Sequence, residues 1–220
     1  MKLTTIGLIL SHLDEVKSLF SRDTGVKTIG DFVKRTEDLA KEKYHNKPED
    51  ENDDNPAYKF KGDMLEILAE LFFNIHLSDP AVGLREYRSV PISEDYGVDA
   101  IGINVNSDQV AVQIKYKTNP LTKIEYSEIS KTYNAAIEIH NIPLYLPKND
   151  TIFVFTTGNE ITAALQNVNK NKVRLIDRKI ISYYVDNESF WLQAEGLLWD
   201  ALDTHSQQSS PHDMIYRLNQ

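Results

Sequence analysis

The sequence predicts an α/β protein in which helices flank a mixed β-sheet, with a small helical appendage at the N-terminus. After residue 58, short β-branched runs alternate with segments of helical periodicity, which is typical of a sheet covered by helices. Two of these runs, 97–105 and 109–117, are joined by the turn-forming Asn106-Ser107-Asp108. This arrangement predicts a hairpin, and therefore a sheet that contains at least one antiparallel pair.

A change in composition divides the chain. Residues 47–57 contain a run of acids flanked by two prolines, and such a segment cannot bury apolar surface. We interpret it as a linker between a helical appendage at 1–46 and a main domain at 58–203, which a polar tail at 204–220 follows. Within the appendage, apolar residues recur at three- and four-residue steps and predict two helices.

The main domain has a predicted element order that runs from a buried helix to a closing helix. The elements are a helix at 59–77, a strand at 86–92, the two hairpin strands, a helix at 125–141, a strand at 151–155, a short helix at 160–168, strands at 172–176 and 180–185, and a closing helix at 188–203. Because strands and helices alternate around one hairpin, the sheet is expected to be mixed.

Composition excludes several classes of protein. No apolar run approaches the roughly 18–20 residues of a membrane helix, so no membrane-spanning segment is predicted. The chain has 0 cysteines, which excludes disulfides and thiolate chemistry and leads us to expect an intracellular protein. The net charge of −9 means that a nucleic acid would have to be held by a local basic patch.

The second hairpin strand carries the residues most suited to chemistry. Alternation along 109–117 puts the apolar side chains on one face and Gln113 and Lys115 on the other. With a three-residue turn, Asp99 falls opposite Lys115, so that a carboxylate, an amide and an ammonium share one face. Oxygen ligands favour Mg²⁺, which lowers the pKa of a bound water and stabilises charge on a phosphoryl group.

The pattern Asp99-x13-Gln113-Ile114-Lys115 resembles the PD-(D/E)xK nuclease superfamily in its Q-x-K form. The segment Gly62-Asp63-Met64-Leu65-Glu66 resembles the first helix of the Mrr-like restriction endonuclease domains, and the likeness covers about residues 58–185. This resemblance implies a restriction-endonuclease-like sheet. It also implies an endonuclease that acts on DNA, expected to be double-stranded, with Mg²⁺ as the cofactor and Mn²⁺ as a possible substitute.

The resemblance also implies a role for each residue. Asp99 would be the main metal ligand, Gln113 and Glu66 would complete the metal site, and Lys115 would position or activate the attacking water. Glu70 lies one turn after Glu66 on the same helix face, so it is an alternative source of the helix carboxylate.

Several residues are candidate contacts to the DNA backbone. A basic strip could form from the cationic side chains Lys117, Lys123, Lys172 and Arg174. Thr157 lies in a short polar run before a predicted helix, where backbone N–H groups could hold a phosphate. The alternatives are a solvated charged edge for the strip and an ordinary helix cap for the polar run.

Two other functions remain open from the sequence. One is a structure-selective nuclease for DNA junctions, or an RNA nuclease, on the same chemistry. The other is a catalytically inactive module that binds nucleic acid or assists assembly on a nuclease fold. A homodimer is expected for an enzyme that cuts both strands of a duplex, since each strand needs its own site.

Overall fold

The structure, a computed structural model, describes residues 3–44, 55–91, 96–142, 151–162 and 173–208. In these ranges seven α-helices flank a five-stranded sheet. The strands are β1 Leu84–Ser89, β2 Ala100–Asn104, β3 Gln109–Lys115, β4 Ile152–Thr156 and β5 Val173–Ile176. The helices are α1 Ile6–Ser11, α2 Leu13–Phe20, α3 Ile29–Lys43, α4 Pro56–Ile75, α5 Tyr126–Glu138, α6 Arg178–Val185 and α7 Glu188–Gln208, and a 3₁₀ turn at Arg22–Thr24 follows α2.

The sheet is mixed, as the sequence predicts. Its strands lie side by side in the order β1-β2-β3-β4-β5. The first three strands pair antiparallel, whereas β4 runs parallel to both β3 and β5. The chain passes through α5 between the parallel strands β3 and β4, as parallel neighbours require a crossover connection. The predicted α/β class is therefore confirmed.

Apolar side chains are buried on both faces of the sheet. On one face, Val112 and Ile114 of β3 belong to a large core that includes most of α4. On the other face, Ala111 packs in a smaller core with Ile129 and Ala136 of α5. Because neighbouring residues of one strand enter different cores, β3 lies in the middle layer between α4 and α5.

The N-terminal helices are part of the larger core. Ile9, Leu19 and Phe32 are fully buried, and all three belong to the cluster that contains the apolar face of α4. Helices α1 and α3 contact α4 directly. The segment predicted as an appendage is thus helical, as expected, and packs on the element that begins the main domain. The predicted domain limits themselves stay a prediction.

The register of the hairpin differs from the predicted one by two residues. Gln109 pairs with Ile103, two residues earlier in β2 than a three-residue turn requires. Continuation of this register sets Asp99 opposite Gln113, so the predicted pairing of Asp99 with Lys115 is wrong. A shift of two residues leaves each side chain on its face, which is why the three side chains still share one face.

The loop of the hairpin explains the shift. The side-chain Oδ1 of Asn104 accepts hydrogen bonds from the backbone N–H groups of Asn106 and Asp108, both at 2.9 Å. Ser107 adopts a left-handed backbone, with φ of 67°. Asn104 therefore closes a longer loop with its own side chain, which a count of turn-forming residues does not reveal.

Residues 180–185 belong to helix α6, so the strand predicted there is wrong. Asp177 caps this helix, because its side chain accepts a hydrogen bond from the N–H of Ile180 at 2.9 Å. Ile181 and Val185 lie four residues apart and are both fully buried. The β-branched and aromatic composition favours a strand, but the cap and the four-residue spacing favour the helix that forms.

The first of the two helices predicted in the N-terminal segment is divided at His12 into α1 and α2. The other segments broadly agree with the predictions or lie outside the described residues. Most of the predicted linker at 47–57 and of the predicted helix at 160–168 falls outside them. Helix α4 begins at Pro56, where the side chain of Asn55 caps it, and α7 continues past the predicted end at 203. None of the helices in the described ranges is sufficiently long and apolar to cross a bilayer.

Candidate active site

Strand β3 carries the polar side chains of the candidate site on the face that contacts α5. Val112 and Ile114 point into the larger core, so Gln113 and Lys115 lie on the opposite face. The predicted division of this strand into an apolar and a polar face is therefore confirmed.

Asp99 lies directly before β2 and is held by the backbone on both sides. Its N–H donates to the carbonyl of Val112 at 3.1 Å, and its carbonyl accepts from the N–H of Val90 at 2.9 Å. Two residues earlier, Gly97 has a φ of 103°, and a Cβ there would lie 3.0 Å from the Cβ of Lys131. Glycine thus allows the segment before Asp99 to lie against α5.

A chain of hydrogen bonds joins Asp99 to α5. The Nε2 of Gln113 donates to Oδ2 of Asp99, and the backbone N–H of Ile114 donates to the same oxygen at 2.5 Å. The hydroxyl of Thr132 donates to Oε1 of Gln113. Gln113 is 3% exposed and Thr132 is fully buried, so this chain is shielded from solvent. One oxygen of the Asp99 carboxylate is therefore held in a fixed position.

Lys115, the last residue of β3, is flanked by Gln113 and by Lys117 just beyond the strand, and both are already engaged by α5. Gln113 bonds to Thr132, and the ammonium of Lys117 lies 2.7 Å from Oε1 of Glu128. Within the described part of the chain, the ammonium of Lys115 makes no hydrogen bond or ion pair. It is a half-buried cation that can accept an anionic partner.

The two carboxylates of α4 have different environments. Glu70 is 1% exposed and accepts four hydrogen bonds of 2.5 to 2.8 Å from the backbone N–H and hydroxyl groups of Thr4 and Thr5. Glu66 is half-buried and lines the same space as Asp99. Glu70 therefore fastens the N-terminal segment to α4, and Glu66 is the α4 glutamate at the candidate site.

The predicted site residues converge on one cleft of about 970 Å³. It is bounded by α4, the end of β3 and the first turns of α5. All four of the residues singled out from the sequence line it, namely Glu66, Asp99, Gln113 and Lys115. These residues are separated by up to 49 positions in the sequence, so their convergence is a property of the fold.

Three residues were not anticipated; Thr132 is buried beside Gln113, and the other two line the cleft. Asp63 lines it three residues before Glu66, and its Oδ2 lies 3.1 Å from Nε2 of His12. The three-residue spacing on a helix is a signal that could have revealed Asp63. Glu128 and Thr132 lie four residues apart on α5 and face β3, but their partners are set by tertiary packing, for which the sequence gives no local signal.

The carboxylates near the site also affect a buried tyrosine. The hydroxyl of Tyr87 is buried, and this burial raises the pKa of the phenol well above its usual range. The nearby carboxylates of Glu70, Glu66 and Asp99 raise it further. The phenol is therefore neutral at any ordinary pH and adds no charge to the site.

Two of the predicted DNA contacts are buried. The hydroxyl of Thr157 accepts from the N–H of Lys117 at 2.7 Å and donates to its carbonyl at 2.8 Å. Thr157 is fully buried, and Lys117 is 4% exposed and paired with Glu128. Both residues therefore brace the end of β3. Lys172 lies outside the described residues.

The other two predicted contacts are engaged with the protein at its surface. Lys123 forms an exposed ion pair with Glu160 at 2.6 Å. The Nη2 of Arg174 donates to the carbonyls of Pro80 and Ala81 at 3.0 and 2.6 Å. Lys123 can exchange its partner for a phosphate at little cost, because exposed ion pairs are weak. Arg174 instead fastens the loop before β1.

The side chains at the cleft fit a hard divalent cation. Asp99 and Glu66 supply carboxylate oxygens and Gln113 an amide oxygen, which are the ligands that Mg²⁺ and Mn²⁺ accept. No group of three or more histidine, aspartate or glutamate side chains in the described ranges could by itself hold a metal ion. The candidate ligand set therefore depends on the amide of Gln113 and on bound water or substrate oxygens.

Comparisons with known proteins add little to this geometry. No protein-family model matches the chain, and no curated protein matches it. A solved structure described as "Structure of EndoMS-dsDNA2 complex" matches with a TM-score of 0.30 and 12% identity, over 50% of this chain and 44% of that one. This chain thus spans less than half the length of the structure it matches. A similarity of this size carries no argument about function.

Proposed function

We propose that the protein is a metal-dependent endonuclease that hydrolyses phosphodiester bonds in DNA. The observation that supports this most is the convergence of Glu66, Asp99, Gln113 and Lys115 on one cleft. These residue types supply oxygen ligands for a cation and a positive charge for a phosphate within one space. The same residues carry the resemblance to the PD-(D/E)xK superfamily.

Each side chain has a distinct role in this proposal. Asp99, Glu66 and the amide oxygen of Gln113 would hold Mg²⁺, for which Mn²⁺ can substitute. A bound Mg²⁺ lowers the pKa of its water and stabilises negative charge on the phosphoryl group. The backbone N–H of Ile114 holds Oδ2 of Asp99 in place, which limits the movement of this carboxylate when the site is occupied.

Lys115 would act on the substrate. Its ammonium lines the cleft and has no ionic partner among the residues that the structure describes, so a phosphate oxygen can take that position. There it would stabilise the charge that develops on the phosphoryl group, or orient the attacking water. The protein has a net charge of −9, which repels a negatively charged substrate, so binding requires local cations such as Lys115.

The experiment is cleavage of supercoiled plasmid by the full chain in Mg²⁺, Mn²⁺ or EDTA. The site variants are Asp99→Asn and Lys115→Met. The matched controls are Asp200→Asn and Lys34→Met, which change exposed residues of α7 and α3. Parallel reactions with a four-way junction, single-stranded DNA and RNA identify the preferred substrate, and sedimentation velocity tests the expected homodimer.

Metal-dependent cleavage that is lost in both site variants and kept in both controls would support the proposal. Cleavage that survives both site variants would contradict it. Binding of DNA without cleavage in either metal would instead identify an inactive binding module. Preference for the junction or for RNA would keep the chemistry and change the substrate.

A further inference from the structure

The amide of Gln113 lies between two oxygen-bearing side chains in the interior. Its Nε2 donates to Asp99 and its Oε1 accepts from the hydroxyl of Thr132. Both ends of the amide are therefore hydrogen-bonded. The amide cannot turn without breaking these bonds, and water cannot readily replace them because Gln113 is 3% exposed and Thr132 is fully buried. Asp99 accepts from the Nε2 end of the amide, and Thr132 holds the opposite end.

In this arrangement the amide presents hydrogen rather than oxygen to Asp99. A cation bound by Asp99 needs an oxygen from Gln113, so the amide must turn over when the cation binds. The hydroxyl of Thr132 can serve both orientations, because a hydroxyl donates one hydrogen bond and also accepts. It donates to Oε1 in the observed state and can accept from Nε2 in the reversed state.

We propose that Thr132 is a positioning residue that permits this reversal, so that Gln113 presents Nε2 to Asp99 without metal and Oε1 to a bound divalent cation. This inference rests on the proposed function, because it assumes that Asp99 binds a metal. The backbone N–H of Ile114 holds Oδ2 of Asp99 in the observed state, and this bond does not depend on the amide. The reversal therefore needs no movement of the main chain.

The chain provides a matched control for the hydroxyl. Thr36 on α3 is also fully buried, but its Oγ1 has no hydrogen-bond partner among the described residues. Replacement of either threonine by valine keeps the shape and removes the hydroxyl. Only at Thr132 does this change leave the end of a buried amide without a partner. Thr132→Ser keeps the hydroxyl and serves as the conservative variant.

The experiment measures metal binding and the Gln113 amide in the full chain. Mn²⁺ affinity is determined by electron paramagnetic resonance for wild type, Thr132→Val, Thr132→Ser and Thr36→Val, each checked for folding by circular dichroism. The side-chain NH₂ resonances of Gln113, assigned by their loss in Gln113→Met, are then recorded by NMR with and without Mg²⁺.

We expect Thr132→Val to weaken Mn²⁺ binding about 10-fold, in the range found for residues that orient metal ligands. Thr132→Ser should restore binding to within about 3-fold of wild type, and Thr36→Val should leave it unchanged. Mg²⁺ should shift the Gln113 NH₂ resonances in wild type, and less in Thr132→Val.

Two results would overturn the inference, and they can be told apart. If wild type binds Mn²⁺ and Thr132→Val binds it equally well, Thr132 does not position Gln113 and the proposed function stands. If folded wild type binds no Mn²⁺ at all, the proposed function fails together with the inference.

Discussion

The ammonium of Lys117 lies 2.7 Å from Oε1 of Glu128, in an ion pair whose lysine side chain is 6% exposed. Thr132, four residues after Glu128 on α5, donates a hydrogen bond to Gln113, which lies four residues before Lys117 in the sequence. These two contacts fasten one face of α5 to the polar face of β3. Lys115 lies between Gln113 and Lys117 in the sequence and lines the cleft. The position of the central cation thus depends on the contacts on either side of it.

Loss of the ion pair should destabilise the protein. Lys117→Met leaves Glu128 without its cation, and we expect the free energy of unfolding to fall by about 2–3 kcal/mol. This loss is smaller than for a fully buried ion pair, because Glu128 is partly exposed. Urea unfolding measures the change.

The double variant Lys117→Met/Glu128→Gln should recover part of the loss, about 1 kcal/mol, because it removes the unpaired charge. Glutamine at 128 keeps the capping box with Glu125, so the comparison isolates the ion pair. Strictly additive effects of the two changes would contradict a direct interaction.

The two glutamates of α4 should separate stability from activity. Glu70→Gln replaces an acceptor of four hydrogen bonds with an amide, so we expect the unfolding free energy to fall by about 2–3 kcal/mol. Cleavage activity should be retained at temperatures below the melting temperature of the variant. Glu66→Gln should change stability by less than about 1 kcal/mol and lower the cleavage rate about 100-fold or more. Denaturation and initial rates, measured on the same preparations, distinguish them. The reverse pattern would assign the site carboxylate to Glu70.

The two surface cations Arg174 and Lys123 should also differ in their contributions to stability. Arg174→Ala removes hydrogen bonds to the carbonyls of Pro80 and Ala81, so we expect a loss of about 1–2 kcal/mol in stability. Lys123→Ala removes an exposed ion pair with Glu160 and should leave the unfolding free energy nearly unchanged. If Lys123 contacts a phosphate, its loss should reduce the salt dependence of DNA affinity by about one unit of slope. An unchanged slope would exclude that contact.

Stability should fall in mild acid because of His76. Burial lowers the pKa of this histidine below 6.5, against a smaller opposing effect of Asp79. The unfolded chain then binds a proton at higher pH than the folded protein does. The stabilisation is therefore complete above pH 6.5 and is lost as the pH falls from 6.5 towards the lower pKa of the folded state.

The variant His76→Gln tests this dependence. The free energy of unfolding, measured in urea at pH 8 and pH 5.5, should decrease less in the variant than in wild type. Equal decreases in the two proteins would show that another group causes the acid sensitivity.

The sequence was sufficient to predict that Gln113 and Lys115 share one face of β3, because the signal for a face is local. The alternation in β3 depends only on a period of two, and it places Gln113 and Lys115 on one face whatever the hairpin register. The register itself was wrong by two residues, because the side chain of Asn104 closes the loop. The face of a strand on which a side chain lies is therefore easier to predict than the residue that pairs with it on the neighbouring strand.

Other features depend on contacts between distant segments. Glu66 and Glu70 look equivalent on a helix, and only the approach of Thr4 and Thr5 distinguishes them. The case of α6 is different. Its composition favours a strand, but Asp177 is a helix-capping residue that is visible in the sequence itself. The distinction between the two glutamates required the fold, whereas a correct prediction of α6 required only more weight on the cap.

The central claim is that the cleft between α4, β3 and α5 hydrolyses phosphodiester bonds, and Lys115 tests it most directly. The measurement is the initial rate of Mg²⁺-dependent plasmid nicking by Lys115→Met and by Lys34→Met, at equal concentrations of folded protein. We expect Lys115→Met to be slower than wild type by about 100-fold or more with its melting temperature preserved, and Lys34→Met to match wild type. Equal rates for the two variants, or nicking that persists in EDTA, would contradict the account.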